Sequence, residues 1–119
     1  MRIEDGAHVA FTAAALNPEA TLTDASTISW NAITQPVAKV TLGANRTLGA
    51  ASGGIAGQFV SLLIIQDGTG SRTASFGSYW KFAGATAPTL TTTASAVDRI
   101  DYIIVSSTLI HAVATLNLS

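Results

Sequence analysis

From Phe59 to Ile65 the chain runs without a charge through large apolar and β-branched residues, then stops at Gln66, Asp67, Gly68, Thr69 and Gly70. Successive side chains of a strand point to opposite faces, so Phe59, Leu63 and Ile65 share one face while Val60, Leu62 and Ile64 share the other. Both faces are apolar, and both need cover. The Asp and glycines after the run supply the positive φ values of a tight reversal, so residues 57–82 are expected to form a β-hairpin with residues 72–76 as the returning strand. With 119 residues the chain is read as one domain. A second sheet is then expected on one face of the strand, and a neighbouring subunit over whatever that sheet leaves open.

The same alternation recurs elsewhere. Residues 21–23, 27–30 and 37–42 read as half-buried strands, with Pro36 at a strand start where its missing N–H does no harm. Thr47 and Leu48 read as a further short strand. Residues 96–105 and 108–118 alternate again and are joined at Ser106 and Ser107, a hairpin turn. Between them and the aromatic cluster of Tyr79, Trp80 and Phe82 runs a long connection containing Pro88. No internal repeat is visible. The expected fold is all-β, an antiparallel β-sandwich or jelly-roll-like domain over residues 19–119. Residues 1–18 lack β-alternation and end at Asn17 and Pro18; they are expected to form a short N-terminal arm that orders against something else.

Composition removes several functions. There is no cysteine, so disulfides, thiolate catalysis and cysteine zinc sites are excluded. The six basic residues are scattered and the net charge is −1, which argues against a nucleic-acid surface. The apolar runs are broken too early to span a bilayer, and no secretory leader is recognisable, so no membrane partner is expected. Charged residues make up 11% of the chain, against roughly 25% in ordinary domains. With 16 Thr, 11 Ser and 21 Ala, the surface is small and neutral, as suits a protein packed against copies of itself.

Neither histidine, His8 nor His111, sits in a nucleophile elbow or at metal-ligand spacing. The seven carboxylates show no spacing that demands a glycosidase pair, and the segment from Asp67 to Ser71 lacks the further carboxylates of a calcium loop. No catalytic residue, cofactor or metal is therefore assigned. Asp67 is expected to accept hydrogen bonds from its own loop's amides. Candidate partner contacts are Arg2, His8 and Phe11 in the arm, Asp67, Thr69 and Arg72 at the loop, and Tyr79 and Trp80, whose rings could stack on a sugar or pack inside.

One resemblance runs through the middle of the chain. Val40, Thr41 and Leu42 with Asn45, Arg46, Thr47 and Leu48, then Gly57 and Gln58, the stretch from Gln66 to Thr73, Phe76, Gly77 and Ser78, Lys81 and Phe82, and the stretch from Ala87 to Ala94 with Ala96, Val97 and Asp98, follow one another along the chain. Together they resemble a β-rich module of tailed-phage structural proteins, found in tail fibres and other virion surface proteins. The likeness covers about residues 20–105. It implies a non-enzymatic virion surface component, a homotrimer, with the phage major coat protein as partner if it is a capsid decoration (cement) protein. The alternative it implies is a tail-fibre or receptor-binding head domain that recognises a host surface glycan.

Overall fold

The computed structural model describes residues 18–49 and 51–118. The expected arm therefore lies outside the described residues, apart from Pro18. The chain alternates between two sheets. Strands β1 (Ala20–Thr21), β3 (Val37–Leu42) and β5 (Phe59–Gln66) lie in one, while β2 (Thr27–Ile28), β4 (Arg46–Leu48) and β6 (Ala74–Phe76) form the other. Within each triplet neighbours run parallel: Ala20 pairs with Ala38, Val37 with Ser61, Thr27 with Thr47 and Arg46 with Ala74. The chain thus winds in three coils, each adding one strand to each sheet. Strand β7 (Trp80–Phe82) then crosses to the far edge of the first sheet, and the β8 (Val97–Ser106) and β9 (Leu109–Thr115) hairpin fills the gap. The large sheet has six strands in the order β1-β3-β5-β8-β9-β7.

The fold is all-β, with one short 3-10 turn at Ala83–Ala85 among the described residues. The antiparallel expectation holds for β5 with β8 and for β8 with β9, and fails elsewhere: the large sheet is mixed and the small sheet is parallel throughout. The expected hairpin of residues 57–82 is absent, because β5 and β6 lie in different sheets. Gln66 explains the departure. Its buried side chain accepts from the Arg72 amide at 3.0 Å and donates to the Arg72 carbonyl at 2.8 Å and the Thr91 carbonyl at 3.0 Å. These bonds turn residues 67–73 into a corner that leaves the plane of the sheet. Gly70 sits at φ +73°, and a Cβ there would come within 2.6 Å of the Thr92 carbonyl, so no larger residue fits.

The coils also amount to a structural repeat that the sequence hides. Ala20 faces Ala38 while Val37 faces Ser61, so the loops differ in length and no fixed period exists. Polar corners stitch the coils together. Asp24 holds Arg46 through two bonds of 2.8 Å and accepts the Gly43 amide at 3.1 Å. Asn45 accepts the Thr73 amide at 3.0 Å. At the opposite corners Gln58 donates to the Ala32 carbonyl, and Asn31 accepts the Ile33 amide.

One core joins both sheets. Ile28 and Leu48 of the small sheet meet Val40, Leu42, Leu62 and Ile100 of the large one. Trp30, Trp80 and Tyr102 add an aromatic centre in which the rings of Trp80 and Tyr102 lie 5.0 Å apart, edge to face. The Trp30 indole N–H donates to the Tyr102 hydroxyl at 3.0 Å, and that of Trp80 donates to the Gly49 carbonyl at 3.2 Å. Leu90 closes the core from the long connection.

Candidate functional site

The alternation of the large sheet sends Val60, Leu62 and Ile64 into the core and turns Phe59, Ser61, Leu63 and Ile65 outward. The small sheet covers one side of the six-stranded sheet and leaves the other side outward. Register sets its pattern. One row runs Phe59, Ile103, His111 and Lys81, and the next runs Val37, Ser61, Asp101 and Val113. Phe59 keeps 77% of its surface exposed and Val113 69%, while Ile103 is half-buried between them. Hydrophobic residues so exposed and so close together mark an interaction surface rather than scattered surface apolarity.

This face is nearly neutral. Lys39 at its margin pairs with Glu19 at 3.3 Å. Arg99 and Asp101, two residues apart on β8, both point outward, and among the described residues neither has an ion-pair partner. His111 is exposed on β9. No group of side chains fit to hold a metal ion occurs among the described residues.

The residues singled out from sequence fare differently. Arg2, His8 and Phe11 lie outside the described residues. Asp67 and Arg72 are committed to each other: one carboxylate oxygen takes the guanidinium at 2.9 Å, and the other accepts the amides of Thr69 and Gly70 at 3.1 and 3.0 Å. The loop-amide expectation for Asp67 is met. The Arg72 guanidinium and those amides hold the Asp67 carboxyl below the usual carboxylate range. Thr69 is exposed at the loop tip. Trp80 is buried at 5% exposure among Trp30, Phe76, Phe82 and Tyr102, so it is a core residue and no sugar platform. Its neighbour Tyr79 points outward beside Ser52 and Gly53. The two are adjacent in sequence, but Tyr79 lies in the turn before β7 while Trp80 begins that strand and faces the core. Nor do the loop and Tyr79 meet. The loop packs on Thr92 and Ser95 before β8, and Tyr79 bonds Ile110 near the far end of that strand, roughly 25–30 Å away.

The buried polar groups are also spoken for. Asp98, at 2% exposure, accepts the Thr91 amide at 2.7 Å and the Asn117 amide at 2.8 Å, tying the long connection and the C-terminal segment to β8. Burial pushes the Tyr102 phenol far above its ordinary range, with the Trp30 bond pulling weakly the other way. These are structural bonds, and the outer face of the large sheet carries the two most exposed large hydrophobic side chains among the described residues, Phe59 and Val113. Phe59, Ile103 and Val113 were absent from the sequence-derived contacts. Their signal was the apolar outer parity of β5, β8 and β9.

No family model, curated protein or solved structure matches the chain.

Proposed function

We propose that this chain is a non-enzymatic structural component of a phage particle, a capsid decoration protein that works as a homotrimer on the virion surface. The observation that carries this reading is the outer face of the large sheet, broad, nearly neutral and crowned by Phe59 and Val113. Such a face suits protein–protein packing through buried area. The ordered likeness to a phage structural module over residues 20–105 supplies the virion context. The finer fold follows the same reading: two sheets sharing one core act as a sandwich-like block, rigid enough to present its outer face and its loops at once.

A decoration protein does no chemistry. Because it binds the assembled lattice and not the free coat subunits, its binding free energy adds to the stability of the shell. The glycan-binding alternative drew on Trp80, Tyr79 and the Asp67 loop acting together. Trp80 is interior, and the loop and Tyr79 stand at opposite ends of the sheet, so that platform loses its parts.

The test is addition of purified protein to decoration-stripped heads of the phage that encodes it. Saturable binding in many copies and a higher rupture temperature are expected, with no saturable binding to host cells. Cell binding that disappears on altering Tyr79 or Thr69, with no effect on heads, establishes the receptor-binding reading instead.

A further inference from the structure

Phe59 and Val113 rise from the outer face on either side of β8. Between them lies a trough of about 230 Å³ lined by Asp101, Ile103 and His111, and a second of about 220 Å³ opens on the other flank of Phe59 beside Val37. A cavity of about 150 Å³ already accommodates benzene, so either trough has room for a phenyl ring. The most exposed aromatic ring among the described residues is that of Phe59 itself. Knob and hole therefore lie side by side on one face. Resting on the reading of the chain as a self-associating virion protein, we infer that copies of this chain associate through the outer face of the large sheet, Phe59 of one copy entering the trough between Phe59 and Val113 of the next.

Charge points to the same occupant. Arg99 and Asp101 place both signs two residues apart on the face, so a second copy brings the counter-charge for each. Lys81 on β7 adds one further exposed cation at the edge of the same face. Size is adequate as well: the four long strands β3, β5, β8 and β9, spaced about 4.8 Å apart and about eight residues long on average, give a flat footprint of roughly 500 Å², the order of the roughly 800 Å² that each partner buries in a specific interface. A contact passed from knob to trough closes a ring if the rotation between copies is three-fold.

The chain has no cysteine, which makes a cross-linking test clean. β5 and β9 are separated by β8, about 9.6 Å across, beyond the Cα separation of about 4.4–6.8 Å that a disulfide spans. In the Phe59→Cys/Val113→Cys double variant any disulfide therefore joins two copies. After mild oxidation we expect covalent multimers on a non-reducing gel that collapse on reduction. Phe59→Asp and Val113→Asp should each size as monomers by light scattering while keeping the parent β-sheet circular dichroism, since both side chains lie outside the core. Covalent dimers without trimers also support the interface, and count against the three-fold reading alone. A wild-type monomer at micromolar concentration overturns the inference. So does an oligomer that survives both Asp substitutions with no disulfide formed, and that result leaves the virion reading standing. Variants that dissociate as expected, from a parent that never binds heads, overturn the virion reading and leave this interface intact.

Discussion

On the inner face of β5, Val60, Leu62 and Ile64 keep at most 3% of their surface exposed, whereas Phe59 on the outer face keeps 77%. Both sets come from one unbroken apolar run, and the difference is what lies opposite. Inward, the small sheet and the aromatics around Trp30 fill the space, so each side chain is fixed by its own chain. Outward, the strands offer apolar and mixed-charge rows that nothing on the described residues occupies. An apolar residue is therefore evidence of cover, but not of whose. The inner face belongs to the folding of one copy, and the outer face, on the association proposed above, to what that copy binds.

The comparison breaks most visibly if substitutions on the two faces cost the same. Leu62→Ala deletes a fully buried side chain between β3 and β8 and is expected to lower folding stability by about 2–5 kcal/mol. Phe59→Ala removes a larger side chain from solvent and is expected to leave the stability of the isolated copy nearly unchanged. Urea midpoints at a low and a high protein concentration separate the two. Leu62→Ala shifts both midpoints, and Phe59→Ala shifts the concentrated sample alone. A Phe59→Ala loss as large as that of Leu62→Ala at low concentration makes the faces equivalent and ends the argument.

The inner face can be sharpened further through the hydrogen bond between two of its aromatic side chains, Trp30 and Tyr102. Tyr102→Phe keeps the ring contacts with Trp30 and Trp80 but removes the acceptor of the Trp30 indole N–H. A buried donor left unpaired costs about 1–3 kcal/mol, less than the loss of Leu62 but well above a surface change. Thermal unfolding with near-ultraviolet circular dichroism reads both the loss and the retention of aromatic packing. An unchanged transition means that water reaches the Trp30 nitrogen and the centre is less dry than its burial indicates.

The sequence carried these faces unevenly. Residues 37–42, the run beginning at Phe59 and the hairpin around Ser106 and Ser107 were legible because period-two alternation depends on one chain alone. The parallel winding was not, since Val40 and Ile64 look the same from either strand direction and the decision is made at the corners. There, Gln66 was read as the end of a strand, while its side chain bonds are what carry the chain into the other sheet. Strands β1 and β2 were legible as well, at residues 21–23 and 27–30, though each is only two residues long and shorter than its alternation suggested. Trp80 and Tyr79 show a subtler limit: they are neighbours in sequence, but which of them faces inward is decided where β7 begins, by Trp80 pairing with Ile110, which lies thirty residues away.

The smallest expected effect concerns neither face but the corners that hold the coils in line. Asp24 is drawn below the usual carboxylate range chiefly by its bond to Arg46, with the Gly43 amide assisting and partial burial opposing. Asp67 is lowered in the same sense by Arg72 and its loop amides. A carboxyl whose folded pKa lies below its unfolded value stabilises the fold when ionised. Its contribution is fully present above the unfolded value, about 3.9, and is lost as pH falls through the folded one. Stability should thus be flat near neutrality and decline below about pH 4, with no matching loss toward alkaline pH from these groups. Both side chains retain about a quarter of their surface, 29% and 26%, so solvent screens the pairs and the decline should be shallow. Comparing urea midpoints at pH 7 and pH 3 for the parent, Asp24→Asn, Asp67→Asn and the double variant isolates it, because each substitution removes its own share of the pH dependence. A parent whose acid decline is matched in full by the double variant assigns the loss to other carboxyls and leaves the corners as geometric fasteners held by their amide bonds.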